Sequence, residues 1–140
     1  MYQTGVYKQA KSIRKDLLML MANPAYDYES DSPYDDARIF LQGACIVFAH
    51  VLHNKYGYKM FKIYNGDTFH VFCMKDGVEQ QYIDVRGITT SFSDFEADLL
   101  GEYTEDMIAP FTDAVDDEYM YEEGCAFAEY LIESKNYYYQ

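Results

Sequence analysis

The sequence predicts an α+β fold in which a central helix packs on a small antiparallel sheet and is flanked by further helices. Three observations predict it. An apolar run of helical character follows Gly43, three strand-like runs with turn signals come next, and acidic helix-like segments make up the remainder. Because the strand-like runs are joined by short connections, we expect them to form an antiparallel meander. The chain has 140 residues and is expected to be a single domain over residues 1–140.

The first third of the chain predicts a helix and a loop. Basic residues alternate with leucines over residues 7–22, which indicates an amphipathic helix that ends at Asn23 and Pro24. Residues 24–36 are polar and acidic, and their length is typical of a loop that is either mobile or functional. Residues 37–56 predict one helix, or two short helices broken at Gly43, with a glycine at the carboxyl end.

The strands and the closing helices follow. We expect strands over residues 58–64, 68–74 and 79–85, with turns between them and a stop at residues 86–87. Ser91 or Asp94 is a candidate amino-terminal cap for a short helix. The apolar spacing over residues 119–135 predicts a closing helix, and the tyrosines of residues 137–139 indicate a packed or frayed terminus.

Charge and composition exclude several classes of function. The net charge of −13 argues against direct binding of nucleic acid. No run of 18 apolar residues predicts a membrane span, and the amino terminus lacks the apolar region of a signal peptide, so a cytoplasmic location is expected. Three cysteines without a CxxC pair fit a reducing compartment and show no zinc spacing. We therefore expect no metal and no cofactor; the oligomeric state stays open.

Three residues carry the chemistry that the sequence predicts. Cys45 opens the apolar helix, His70 lies in the second strand-like run, and Asp84 lies in the third. Thiol, imidazole and carboxylate are the nucleophile, the base and the group that orients the base in a catalytic triad. Each residue also has a structural interpretation that involves no catalysis. A lone cysteine or histidine is usually packed in a core, and Asp84 could cap a loop.

The predicted placement of Cys45 suits a reactive thiol. The start of a helix has unpaired N–H groups, which stabilise a thiolate and could hold an oxyanion. Gln42 lies three residues earlier and is a candidate donor of an additional amide N–H.

The hairpin between His70 and Asp84 allows them to meet. A direct cross-strand pair of the two residues centres the turn on Gly77, as in a three-residue loop with a bulge. A strict two-residue turn at Asp76 and Gly77 would miss this pairing by one residue.

The other cysteines and histidines are weaker candidates. His53 lies about 12 Å from Cys45 along the helix axis, and His50 points elsewhere. Cys73 should lie on the face opposite His70, and Cys125 has no histidine and acid after it, so both are expected to be packing residues.

Residues 43–87 resemble the core of the transglutaminase-like branch of the papain-like cysteine protease superfamily. The resemblance lies in Cys45, in Ala49 and Gly57 of the helix, in His70-Val71-Phe72 and in Tyr82-Ile83-Asp84. Phe72 replaces the usual tryptophan after the histidine, and Val85 replaces the proline that often follows the acid. The resemblance implies a papain-like fold with Cys45, His70 and Asp84 as the catalytic triad.

The residues and the resemblance together lead to one expected function and one alternative. The expected function is thiol-dependent acyl transfer or amide hydrolysis on a protein or peptide substrate, of the peptidase, isopeptidase, deamidase or transglutaminase type. The alternative is a non-enzymatic acidic inhibitor or nucleic-acid mimic that binds a basic protein surface, including a catalytically inactive relative.

Overall fold

A computed structural model describes residues 12–27, 29, 32–77, 79–112 and 122–140. Helices and strands are mixed, and a five-stranded antiparallel sheet lies at the centre of the fold. The strands are β1 (Lys59–Tyr64), β2 (Phe69–Lys75), β3 (Gln81–Asp84), β4 (Gly87–Thr89) and β5 (Ile108–Pro110). Their order across the sheet is β4-β3-β2-β1-β5. The predicted α+β class and the meander of β1, β2 and β3 are confirmed.

Along the chain, two helices precede the strands, one lies between β4 and β5, and two follow β5. They are α1 (Ile39–Gln42), α2 (Cys45–Tyr56), α3 (Phe92–Glu96), α4 (Glu122–Ser134) and α5 (Asn136–Tyr139). Two short 3₁₀ helices span Lys15–Leu20 and Glu105–Met107. In the part of the chain that the structure describes, no helix has the length and apolar character needed to cross a membrane.

The predicted helix over residues 7–22 is wrong at Ser12, Ile13 and Arg14, is a 3₁₀ helix over Lys15–Leu20, and lies outside the described residues over 7–11. Ser12 forms a β-bridge with Gly87, and the N–H of Ile13 donates to the Arg86 carbonyl at 2.5 Å. Arg14 is extended, and only then does the 3₁₀ helix begin. Backbone pairing with a distant strand thus replaces the local helical hydrogen bonds that the leucine spacing predicted.

The break at Gly43 is confirmed. The N–H of Gly43 donates to the Ile39 carbonyl and ends α1, while Ala44 precedes the first turn of α2. At the other end of α2, Gly57 has φ 76°, the left-handed conformation that favours glycine after a helix. The break sets the direction of α2 independently of α1, so that Cys45 is the first residue of the longer helix.

The sheet separates two apolar clusters. Residues on one face pack under α2 and α4, and this cluster includes Val71, Cys73 and Ile83. Residues on the other face form a smaller aromatic cluster with α3, built on Phe72, Tyr82 and Phe95. The alternation of side chains along β2 and β3 therefore supplies both clusters.

The carboxyl-terminal helices close the cluster under α2. Tyr139 is fully buried, and its hydroxyl donates to the Val85 carbonyl at 2.7 Å. The expected tyrosine-rich terminus is therefore packed. Ser91 caps α3, because its hydroxyl accepts the N–H of Asp94 at 3.2 Å.

Candidate active site

Cys45 begins α2 and faces the backbone of β2. The N–H of Val71 donates to the Cys45 sulfur at 3.4 Å. The pairing of β2 with β3 covers only Cys73 to Lys75, so Val71 lies beyond it. Its N–H can therefore donate to the thiol instead of to β3. The sulfur thus sits where one strand continues past its neighbour, and the side chain keeps only 7% of its surface exposed.

The structure brings His70 and Asp84 together inside the protein. The Nε2 of His70 lies 3.0 Å from the Oδ2 of Asp84, and both side chains are buried. Since Nε2 is committed to the carboxylate, Nδ1 is the ring nitrogen that remains for a thiol. The Cys45 sulfur accepts the N–H of Val71, the residue next to His70, and each of the two side chains shifts the pKa of the other. The order Cys45, His70, Asp84 is that of a nucleophile, a base and an orienting acid.

The direct pairing of His70 with Asp84 that a turn centred on Gly77 would give does not occur, and the register differs from it by two residues. Cys73 pairs with Ile83 and Lys75 with Gln81, so the turn is centred one residue later than Gly77. His70 and Asp84 are therefore diagonal neighbours. A shift of two residues keeps both side chains on the same face, and a diagonal separation is within reach of side chains of this length.

Arg86 is a residue of the site that sequence reasoning missed, because it was read only as the end of a strand. Its Nε donates to Oδ1 of Asp84 at 3.1 Å, and its Nη2 donates to Oδ2 at 2.7 Å. The same guanidinium donates to the carbonyls of Phe95 and Ala97 at 2.8 and 2.9 Å. An arginine two residues after a buried aspartate was the available signal, since buried carboxylates require partners.

Asp84 also caps a loop, which was the structural alternative to a catalytic role for this residue. Its Oδ1 accepts the backbone N–H of Arg86 at 2.8 Å, which closes the turn between β3 and β4. One carboxylate thus caps a turn, pairs with an arginine and orients His70. Its position is fixed by four donors from two residues.

The charges of the site favour a thiolate and an imidazolium. Burial alone would raise the pKa of Cys45, but hydrogen bonding and charge from His70, with the N–H groups of Val71 and Ile46, lower it below its usual value. Burial opposes the charged form of His70, whereas Asp84 and Cys45 raise its pKa to about 9. Burial likewise disfavours ionised Asp84, but the charge of Arg86 and the bond to His70 hold its pKa well below the usual range.

Donors for an oxyanion lie at the same place. In the first turn of α2 the N–H groups of Val47 and Phe48 donate to the Ala44 carbonyl, so the N–H groups of Cys45 and Ile46 are the candidate donors to an oxyanion. Gln42 is exposed at the end of α1 and lines a cavity beside it. No hydrogen bond joins Gln42 to the triad among the residues described, so its predicted role in binding an oxyanion stays a prediction.

Other thiols and imidazoles lie in different surroundings. Cys73 is fully buried, its sulfur donates to the Ala49 carbonyl, and burial raises its pKa to about 12. Cys125 is half-buried on α4, where burial raises its pKa. The Nδ1–H of His53 donates to the Tyr58 carbonyl at 2.7 Å. Cys73 and Cys125 thus lie in the packing positions that the sequence predicted.

Neither a family model, nor a curated protein, nor a solved structure matches this chain. What the site can do therefore follows from the residues of the chain and their geometry.

Proposed function

We propose that this protein is a thiol enzyme that transfers or hydrolyses acyl groups of amides, with Cys45 as nucleophile, His70 as acid and base, and Asp84 as the orienting group. The observation that carries the proposal is the buried 3.0 Å bond between His70 and Asp84, with the Cys45 sulfur held by the N–H of Val71, the residue next to His70. A purely structural role would not need the thiol, the imidazole and the carboxylate in this order.

The reaction follows from the charges of the site. The Cys45 thiolate attacks the carbonyl carbon of an amide, and N–H groups at the start of α2 stabilise the oxygen as it becomes negative. The His70 imidazolium gives its proton to the leaving amine, which leaves a thioester on Cys45. His70 then takes a proton from water or from an acceptor amine, whose attack releases the thiol. Asp84 keeps the ring oriented in both steps.

We also propose that the fold is a distant form of the papain-like, transglutaminase-like core. The elements that support this are the cysteine at the first turn of α2, the histidine near the start of β2 and the acid at the end of β3. They occur in the same order as in that family. The compact hairpin between His70 and Asp84 is a departure from that family.

The reactivity of the three cysteines tests the proposed function. We expect iodoacetamide at pH 6 to alkylate Cys45 at least about tenfold faster than Cys73 and Cys125, because a thiolate persists there while an ordinary thiol is protonated. Peptide mass spectrometry of the folded protein measures each rate. His70→Ala should abolish the difference, while His53→Ala is the matched control on a more exposed histidine and should keep it. Equal rates for all three cysteines would contradict the proposal.

A second candidate function follows from the net charge of −13. A small acidic protein associates quickly with basic partners, which is how an inhibitor or a nucleic-acid mimic would act. In that case partner binding should weaken steeply between about 50 and 500 mM salt, since the Debye length shortens over that range.

Cys45→Ala separates the two candidates. For the enzyme, the substitution abolishes the biological effect at an unchanged melting temperature. For the acidic inhibitor, both partner binding and effect survive the substitution. Retention of the effect by Cys45→Ala would therefore refute the thiol mechanism.

A further inference from the structure

Two exposed aromatic side chains lie side by side on the sheet. Tyr64 ends β1 and Phe69 begins β2, and the two residues are cross-strand partners. About half of each residue is exposed, 51% of Tyr64 and 49% of Phe69. Cross-strand partners bring their Cβ atoms to within about 5 Å of each other, so the two rings form one surface. We refer to Tyr64, Phe69 and the neighbouring Lys62 as the aromatic platform.

The aromatic platform lies on the face of the sheet that packs under α2. Side chains alternate along a strand, so Phe69 shares a face with Val71 and Cys73, which belong to the apolar cluster under α2. The β1 partners of Val71 and Phe69 lie on the same face, and they are the other two members of the platform, Lys62 and Tyr64. The platform and α2 are thus on one side of the sheet.

The direction of α2 places the aromatic platform ahead of its first turn. Cys45 lies beside Val71, whose N–H donates to its sulfur at 3.4 Å. Four residues later, the Ala49 carbonyl accepts the thiol of Cys73 at 3.2 Å. The helix therefore advances along β2 in the direction of that strand. Because Phe69 precedes Val71 by two residues, or about 7 Å, it lies beyond the amino end of α2.

An amide that Cys45 attacks lies next to the aromatic platform. Its carbonyl oxygen meets the N–H groups of Cys45 and Ile46, which point out of the helix at the amino end. Consecutive residues of a peptide are about 3.8 Å apart, so the neighbour of that amide is within a side chain's length of Phe69. The substrate residue next to the reacting amide can therefore place its side chain on the platform.

Lys62 contacts both rings without making the aromatic platform selective for charge. Its ammonium lies 4.9 Å from the centre of the Phe69 ring and 5.2 Å from the centre of the Tyr64 ring. Such cation–π contacts help to hold the rings in place. Asp67 is exposed in the turn between β1 and β2, so the same hairpin also presents a negative charge. The platform is therefore an aromatic surface and not an ionic site.

The two rings determine which ligand fits the aromatic platform. Single exposed apolar residues are common on proteins, whereas two adjoining aromatic rings beside a candidate nucleophile indicate a binding surface. Aromatic rings attract one another in offset or edge-to-face arrangements, and this attraction adds to the gain from burial. An aromatic side chain thus fits the platform better than an aliphatic or a polar one.

We infer that the aromatic platform binds an aromatic side chain of the substrate, in the residue next to the amide that Cys45 attacks. The ring of that side chain packs against Phe69 and Tyr64. The inference rests on the proposed function, because it assigns the substrate class of that site. It narrows the substrate to peptides that carry phenylalanine, tyrosine or tryptophan beside the reacting amide.

Binding to Cys45→Ala protein tests this inference without any reaction. Three uncharged ligands, acetyl-phenylalanine-amide, acetyl-leucine-amide and acetyl-serine-amide, are titrated into ¹⁵N-labelled protein. We expect the phenylalanine ligand to bind about tenfold more tightly than the serine ligand and about threefold more tightly than the leucine ligand, with shift changes at residues 62–71. In the same protein, Phe69→Ser should lower the preference for phenylalanine over serine to about twofold, and Tyr64→Ser to about threefold. Tyr137→Ser removes a similarly exposed ring from α5 and should leave the preference unchanged.

Several results would overturn the inference. Equal affinity for the phenylalanine ligand and either of the others, no binding of any ligand, or a preference that Tyr137→Ser lowers as much as Phe69→Ser would each do so. Shift changes at the aromatic platform that follow protein concentration without a ligand would assign it instead to contact between two copies of the chain. The proposed function fails separately, when iodoacetamide does not prefer Cys45 in the wild-type protein. The two failures are distinguishable, because the binding test uses protein without the thiol.

Discussion

Arg86→Met should destabilise the protein by about 3–5 kcal/mol at pH 7. The guanidinium is buried and makes three hydrogen bonds to the Asp84 carboxylate and two to main-chain carbonyls. Methionine fills similar space but leaves a buried carboxylate with His70 as its only charged partner, and removing one partner of a buried pair costs about that amount. The total stability of a domain is about 5–15 kcal/mol, so the loss is a large fraction of it.

Urea unfolding followed by circular dichroism measures this loss, with Arg14→Met as the matched control. Arg14 and its partner Asp16 are both exposed, so that substitution should cost at most about 1 kcal/mol. Arg86→Lys keeps the positive charge but not the two-pronged geometry of the guanidinium. Its loss of stability should lie between those of Arg86→Met and Arg14→Met. It also provides a measurable variant if Arg86→Met is too unstable to purify.

A double-mutant cycle isolates the pair itself. Arg86→Met combined with Asp84→Leu leaves no unpaired buried charge, so the double variant should lose less than the sum of the single losses. We expect the difference to be about 1–3 kcal/mol. Additive losses, or a cost for Arg86→Met no larger than that for Arg14→Met, would refute the argument that Arg86 neutralises and positions Asp84.

Three further predictions test the described structure. Because the pKa of His70 is raised from 6.5 to about 9, its contribution to stability is complete below pH 6.5 and is lost as pH rises through 9. Urea unfolding should record a loss of about 3 kcal/mol over that range, and His70→Gln should abolish it. Gly124→Ala should lower the free energy of unfolding by about 1–3 kcal/mol, since the added Cβ would lie 2.6 Å from the buried ring of Tyr34. Gly43→Ala is the control, because its Cβ meets only ordinary contacts. Equal melting temperatures of the two variants would contradict this prediction. Tyr139→Phe should cost about 1–2 kcal/mol by leaving a buried carbonyl unpaired, against less than about 0.5 kcal/mol for the exposed Tyr130→Phe, and equal unfolding midpoints would show that the buried hydroxyl contributes nothing.

The sequence by itself determined the elements that depend on local pattern. The apolar run after Gly43 and the glycine at residue 57 determine α2, and the turn signals separate β1, β2 and β3. The alternation of side chains also put His70 and Asp84 on one face. They remain on one face although the observed register differs by two residues from direct pairing, because the period of a strand is two residues. Local periodicity was therefore enough to select the three residues of the candidate triad.

Tertiary structure decided what depends on distant partners. The chain at Ser12 pairs with Gly87 instead of forming a helix, and β4 and β5, three residues each, exist only because a neighbouring strand offers hydrogen bonds. The partnership of Arg86 with Asp84 is likewise set by packing. Such contacts join residues whose separation in the chain carries no periodic signal, and their free energy comes from burial and from hydrogen bonds that form only in the folded protein.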